Sequence, residues 1–384
     1  MTAPLVAAMS IACTGRSLVD QVDVRVEGNL VLLDTRVNQS PPLTFILDTG
    51  ASGLVVDRRR ARELALKETA DQDARTGGGS VDASTIGGVT VRVGRAELAG
   101  ASMSALDLRP LESGLGRRID GILGYDLFDR YVVEIDYERR QVRLHEPSTY
   151  RNERHAVPIA LVEQLPIVRA QIVGAGRTAT APLELDTGLT GSLTLTRPFV
   201  DEHAIIEPDQ SRLRITTGAL LPGKVAAEVV RVERVRVGPL EIPNLVTSVT
   251  PTADDAGVEG DTVGLLGGAL LRRFTLVVDY SRSRILLEPN GAFPEADEFD
   301  MSGMSLVARS EQVYAVRTVI DGSPAAEAGI EAGDIIQAIG GRSAGELTLA
   351  DIRQLFREEG RSYTIRIQRG EIVSERRVTT RRMI

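Results

Sequence analysis

The sequence predicts a mostly β protein in which two pseudo-symmetric lobes are followed by a small α+β module. Three observations carry that expectation. A segment built around an acidic tripeptide occurs twice in matched surroundings. Short runs of alternating apolar and polar residues, such as VTVRVG, VVRVERVRVG and FTLVVDY, are separated by Gly, Asn and Pro, the pattern of half-buried strands joined by turns. The last 85 residues depart from the repeat and hold a helix signal of their own. A length of 384 residues fits two or three cores at about 150 residues each, and a content of 42% hydrophobic and 26% charged residues can fill them.

In chain order, residues 1–20 form an N-terminal tail. Residues 2–13 are small and apolar but lack the basic start of a secretory signal. Two readings compete: a clipped lipoprotein signal ending in a lipidated Cys13, with Ser10 where Leu is usual, or a frayed tail without meaning. The first places the protein in a bacterial envelope, periplasmic or lipid-anchored; a cytoplasmic place stays open. The first lobe covers residues 21–150 and opens with strands around residues 22–37. Its segment LTFILDTGASGLVV (residues 43–56) recurs as APLELDTGLTGSLTL (residues 181–195) in a second lobe, residues 151–290. That lobe follows the polar stretch RNERH and opens with a strand near residues 165–173. Asp48 and Asp186 are thus 138 residues apart. Each is followed by a further shared block, DGILGYDLFDRYVVEIDY from Asp120 and VGLLGGALLRRFTLVVDY from Val263. Between motif and block lies a Thr-Gly turn, Thr76-Gly77-Gly78-Gly79 in the first copy and Thr217-Gly218 in the second. Internal repeats often serve only to complete a core. A repeated carboxylate points further.

A strand that ends at Asp-Thr-Gly presents a carboxylate at its tip, with Gly permitting the tight backbone. One such tripeptide is weak evidence; two in matched contexts, each with a later apolar pair and Gly (Ile122-Leu123-Gly124 and Leu265-Leu266-Gly267), are strong. If the lobes pack about a pseudo-two-fold axis, Asp48 and Asp186 meet across it. Carboxylates about 3 Å apart cannot both ionise, so they share one proton and titrate in coupled steps. The ionised partner then takes a proton from a bound water while the protonated one stabilises the oxyanion of a peptide carbonyl. A glycosidase also uses two carboxylates, but holds them about 5 Å or more apart; the symmetry favours the closer pair.

At these residues the chain resembles the aspartic protease family, the retropepsin-like proteins with short lobes in particular, over roughly residues 22–289. The resemblance implies that Asp48 and Asp186 are the catalytic pair, acting on polypeptide substrates. It implies that Thr49 and Thr187 brace the two loops beside Gly50 and Gly188. It also implies that Thr76, Gly77, Gly78 and Gly79 close over substrate, with Thr217 and Gly218 as a less glycine-rich counterpart. Since both motifs lie in one chain, as in pepsin-like enzymes, the site is implied to be complete in a monomer. Leu189 stands where the family has Ala, Ser or Thr, a bulky group able to crowd the dyad. That departure leaves a weak or inactive peptide-binding adaptor as the alternative to an endopeptidase.

Beyond residue 289, Glu295, Asp297, Glu298 and Asp300 read as an acidic, exposed linker over residues 291–299. Residues 300–384 resemble a bacterial PDZ domain through Ser323-Pro324-Ala325-Ala326 and Ala332-Gly333-Asp334. Thr348 and Asp351 read as a capping box, with Leu349, Ile352, Leu355 and Phe356 on one helix face. The resemblance implies that Gly303, Met304, Ser305 and Leu306 form the loop that receives the C-terminal carboxylate of a peptide partner; a lid or spacer is the alternative. Net charge of −8, seven Tyr, seven Phe and no Trp argue against nucleic acid. One cysteine excludes a disulfide within the chain and a cysteine zinc cage, and His145, His155 and His203 lack ligand spacing. Asp254, Asp255, Glu259 and Asp261 read as a solvated loop rather than a calcium site. No metal and no cofactor is therefore expected, and no run reaches the ~18 apolar residues of a membrane helix.

Overall fold

The computed structural model describes residues 18–76, 79–217 and 225–384. Cys13, with the rest of residues 1–17, lies outside the described residues, as do Gly77, Gly78 and Gly218.

The sequence repeat extends to topology. In the first lobe the strands Leu30–Val37, Leu43–Leu47, Gly121–Leu123, Leu54–Asp57, Ala96–Leu106, Gly79–Val93 and Glu68–Thr76 lie side by side in that order. In the second lobe the order is Leu165–Gly174, Arg177–Asp186, Gly264–Gly267, Leu193–Thr196, Leu240–Thr250, Val225–Val237 and Leu213–Thr217. Member for member the two series correspond, including an extra antiparallel contact between the first and sixth strands of each. The short strands Gly121–Leu123 and Gly264–Gly267 are wholly buried and run parallel to the strands that lead into Asp48 and Asp186. A strand covered on both faces has no use for polar alternation, and these two have none.

A sheet of six antiparallel strands joins the lobes: Leu18–Asp23, Gln141–His145, Val132–Asp136, Phe274–Asp279, Arg284–Pro289 and Ala156–Val162. Its centre is the pairing of Val133 with Val278 and Ile135 with Leu276, one strand from each lobe. Val133, Ile135, Leu276 and Val278 belong to a single buried cluster that also takes in Phe45 and Leu47 of the first lobe and Leu183 and Leu185 of the second. The lobes therefore share one core, which fixes the spacing of anything mounted on it.

Within residues 291–299, Gly291 and residues 294–296 are exposed as expected of a linker, while the following acidic residues depart from it. Asp297 is buried: its carboxylate accepts from Val246 N at 2.9 Å and lies 3.9 Å from the buried Arg273 guanidinium. Glu298 pairs with Arg231 and Arg382, and Glu295 with Arg272. Acidic residues read as solvated because of their charge are here held by arginines of the second lobe and the C-terminus. Replacing Asp297 with Ala strands the Val246 amide and a buried guanidinium, and is expected to cost about 1–3 kcal/mol in thermal unfolding; an unchanged unfolding temperature would show the segment to be loose.

The C-terminal module has its own sheet, Met304–Ser310, Val313–Val319, Ile335–Ile339, Ser362–Arg369 and Ile372–Thr379, and its own core around Tyr314, Ile352, Phe356, Ile365 and Ile367. Helix Leu349–Leu355 starts as expected: Thr348 Oγ1 accepts from Asp351 N at 3.0 Å and Asp351 Oδ2 accepts from Thr348 N at 2.9 Å.

Candidate active site

Strands Leu43–Leu47 and Arg177–Asp186 run into the join between the lobes, so that Asp48 and Asp186 arrive together from opposite sides. Each strand ends for a local reason. Asp48 Oδ1 accepts from Gly50 N at 2.8 Å, and Asp186 Oδ1 accepts from Gly188 N at 2.7 Å, so each Asp turns its own chain. The glycines are required by close approach. A Cβ on Gly188 would collide with the Asp48 carboxyl, and one on Gly50 would lie 2.8 Å from that of Asp186.

Thr49 and Thr187, both without solvent exposure, lock the two turns together. Thr49 Oγ1 donates to Leu185 O at 2.5 Å and accepts from Thr187 N at 3.0 Å. Thr187 Oγ1 donates to Leu47 O at 2.8 Å and accepts from Thr49 N at 3.0 Å. Each hydroxyl thus satisfies one donor and one acceptor of the opposite lobe, a reciprocal lock that permits little freedom in the carboxyl spacing.

The carboxyls keep some solvent exposure while being crowded by protein, and burial raises both above the usual Asp range. Asp186 is raised further by the charge of Asp48 and then by that of Glu184, while Asp48 accepts from Gly50 N, which works against its burial. The two carboxyls titrate as one coupled pair that shares a proton, as acid-base work demands.

Three residues near the pair escaped the sequence reading. Glu184, two residues before Asp186, is 4% exposed. Tyr137 and Tyr280 follow corresponding strands of the bridging sheet, and their buried hydroxyls have no hydrogen-bond partner among the described residues. Tyr137 senses the charge of Asp186, and Tyr280 those of Asp48 and Glu184; burial first, and then these charges, raise both phenols. A signal for Glu184 was present: the 138-residue offset sets it opposite Ile46, a carboxylate where the first copy has an apolar side chain.

Of the residues expected to close over substrate, Thr76 and Gly79 are the last backbone pair of the hairpin formed by Glu68–Thr76 and Gly79–Val93, and Thr217 pairs with Val225 at the end of the second. Leu189 packs beside the turn of the dyad, since Gly267 is the ladder partner of Asp186. Its side chain lies over Gly267, 2.8 Å from where a Cβ would stand, and packs with Ala256, Val258 and Leu265. His145 and His203 are engaged elsewhere, with Glu134 and with the Phe199 carbonyl.

In the C-terminal module, the loop expected to receive a carboxylate already holds one. Asp300 Oδ1 accepts from Gly303 N at 2.8 Å, Ser302 N at 2.9 Å and Ser302 Oγ at 2.7 Å, while Met304 N donates to Ser302 Oγ. Burial raises Asp300 to about 6. Ser305 and Leu306 continue into strand Met304–Ser310, whose Leu306 and Ala308 carbonyls accept from Arg353 and from Ser113 Oγ of the first lobe.

Residues 33–127 match the model of the aspartyl protease family, and residues 316–369 match that of the PDZ domain. Among solved structures, the crystal structure of the aspartic proteinase from Irpex lacteus matches with 14% sequence identity over 72% of this chain and 98% of its own, at a TM-score of 0.45. No curated protein sequence matches. The chain carries an aspartyl protease domain at its N-terminal side and a PDZ domain at its C-terminus, on a mostly β fold.

Proposed function

We propose that the protein is an aspartic endopeptidase. Asp48 takes a proton from one water as that water attacks a peptide carbonyl; Asp186 gives its proton to the carbonyl oxygen as charge develops there, and the pair then passes a proton to the leaving amine. The step needs only water, and atoms balance without a covalent intermediate. The observation that carries this reading is the coupled carboxyl pair, held at fixed spacing by the reciprocal bonds of Thr49 and Thr187. The extended substrate would lie between the lobes under the two hairpins.

We read the PDZ domain as a peptide-binding module coupled to the lobes rather than a free tether. Supporting this are Ser113 on Ala308, helix Arg109–Leu115 beside strand Met304–Ser310, and Ser211 Oγ on the Met383 carbonyl at 3.0 Å. A partner's terminal carboxylate would have to displace Asp300 from the Gly303 amide.

The test is mass-spectrometric mapping of a proteome-derived peptide library incubated with the wild type and with Asp186→Asn between about pH 3 and 8. Cleavage confined to the wild type is expected; cutting by neither protein would favour a peptide-binding adaptor. Leu189 was the sequence feature behind that second reading. Because its side chain is taken up by Ala256, Val258 and Leu265, Leu189→Ala is expected to leave kcat/KM within about twofold while costing roughly 1–2 kcal/mol of stability, less than the usual loss for a fully buried Leu. A large gain in kcat/KM would instead mark Leu189 as an obstruction.

A further inference from the structure

We infer that Glu184 joins Asp48 and Asp186 as a third carboxyl of the cluster, a positioning residue that holds the dyad's proton in place toward neutral and mildly alkaline pH. The inference deepens the endopeptidase reading and rests on it for its kinetic consequence.

Its basis is geometric. Glu184 lies on the same strand as Asp186 and two residues before it, so both side chains project from the same face. Glu184 Oε1 is 3.0 Å, and Asp186 Oδ1 2.8 Å, from one and the same point, the position of a Cβ on Gly50. The two carboxyls therefore converge on the turn that carries Asp48. Glu184 is 4% exposed. Its strand neighbours, Ile167 and Leu265, offer no polar side chain. The titratable groups that face it are Asp48, Asp186 and Tyr280, with Tyr125 stacked on Tyr280 at 5.8 Å and Tyr137 beyond Asp186. Among the described residues, no cation acts on it.

A buried carboxyl without a cation keeps its proton, and here burial and the charge of Asp48 push Glu184 up to about 8. The consequence for the dyad has a definite sign. While Glu184 is neutral, the cluster carries one negative charge, on the dyad. Once pH rises enough for Glu184 to ionise, its charge opposes removal of the proton from Asp186, so the singly protonated dyad persists to higher pH than it would alone. With an apolar group in its place, as Ile46 is in the first lobe, that opposition is absent and the dyad's proton leaves earlier.

The test compares pH profiles of kcat/KM for the wild type, Glu184→Gln and Glu184→Ile. Both variants are expected to lose about tenfold at about pH 8 while changing less than about twofold at about pH 5, since one unit of displacement in the upper limb is a factor of ten. A loss of purely structural origin would scale the whole profile down, and parallel profiles would overturn the inference. Infrared titration of the carboxyl stretch between about pH 6 and 9 gives a readout independent of turnover. The wild type is expected to show a protonated carboxyl band that fades over this range and is reduced in Glu184→Gln; an identical band in both overturns the inference. If the wild type cuts no peptide at any pH, the endopeptidase reading falls, and the infrared titration still decides whether Glu184 holds a proton of its own.

Discussion

Asp186→Asn is expected to abolish peptide hydrolysis while making the protein more stable at neutral and alkaline pH. The loss in kcat/KM should be about three to four orders of magnitude, since the variant removes the acid of a two-carboxyl pair. The gain in stability follows from the direction in which the fold moves the group. Asp186 sits well above its ordinary value of 3.8, chiefly through burial and then through the charges of Asp48 and Glu184. A carboxyl raised in the folded state favours the fold relative to its ionised form at low pH, and this contribution is lost as pH climbs through the folded value. The difference in unfolding temperature between variant and wild type should therefore be small near pH 3, below the unfolded value, and grow toward about pH 8. Calorimetry across that range, paired with the cleavage assay, separates a group kept for chemistry from one kept for folding. A variant that is inactive and also destabilised at every pH would contradict the assignment.

The second large effect is structural. Thr49→Val keeps the shape of the side chain but leaves Leu185 O and Thr187 N without partners in a fully buried place. At about 1–3 kcal/mol for each stranded group, the cost should be about 2–6 kcal/mol. Thr187→Val strands Leu47 O and Thr49 N and should cost the same, because the two halves of the lock are related by the pseudo-symmetry. Thr49→Ser and Thr187→Ser retain the hydroxyls and should recover most of the loss. Chemical denaturation gives the energies; kcat should fall in the valine variants even where they remain folded, since the carboxyl spacing is no longer held. Wild-type stability in either valine variant would show that the lock is not closed in solution.

Much of this architecture was legible in the chain because it is repeated. The Asp-Thr-Gly pair, the apolar block that follows each, and the strand periodicity between them recur at nearly the same spacing, and the strand orders of the two lobes agree with that repeat. The capping box at Thr348 was legible because a cap is a local device, closed within one turn of chain. Where the reading went astray, the cause was a partner remote in sequence. The acidic stretch at residues 295–300 looked solvated until Arg231, Arg272, Arg273 and Arg382 closed on it. The space that Leu189 fills is provided by Gly267, far along the chain.

The sequence by itself determined two related β-lobes, a pair of aspartates and a separate C-terminal module, because periodicity and internal repetition are properties of neighbouring residues and of intervals. Only the tertiary structure decided that the two aspartates meet as one coupled pair, and that Glu184, a single departure from the repeat, is buried beside them. Burial and the distances between groups are contained in no interval along the chain.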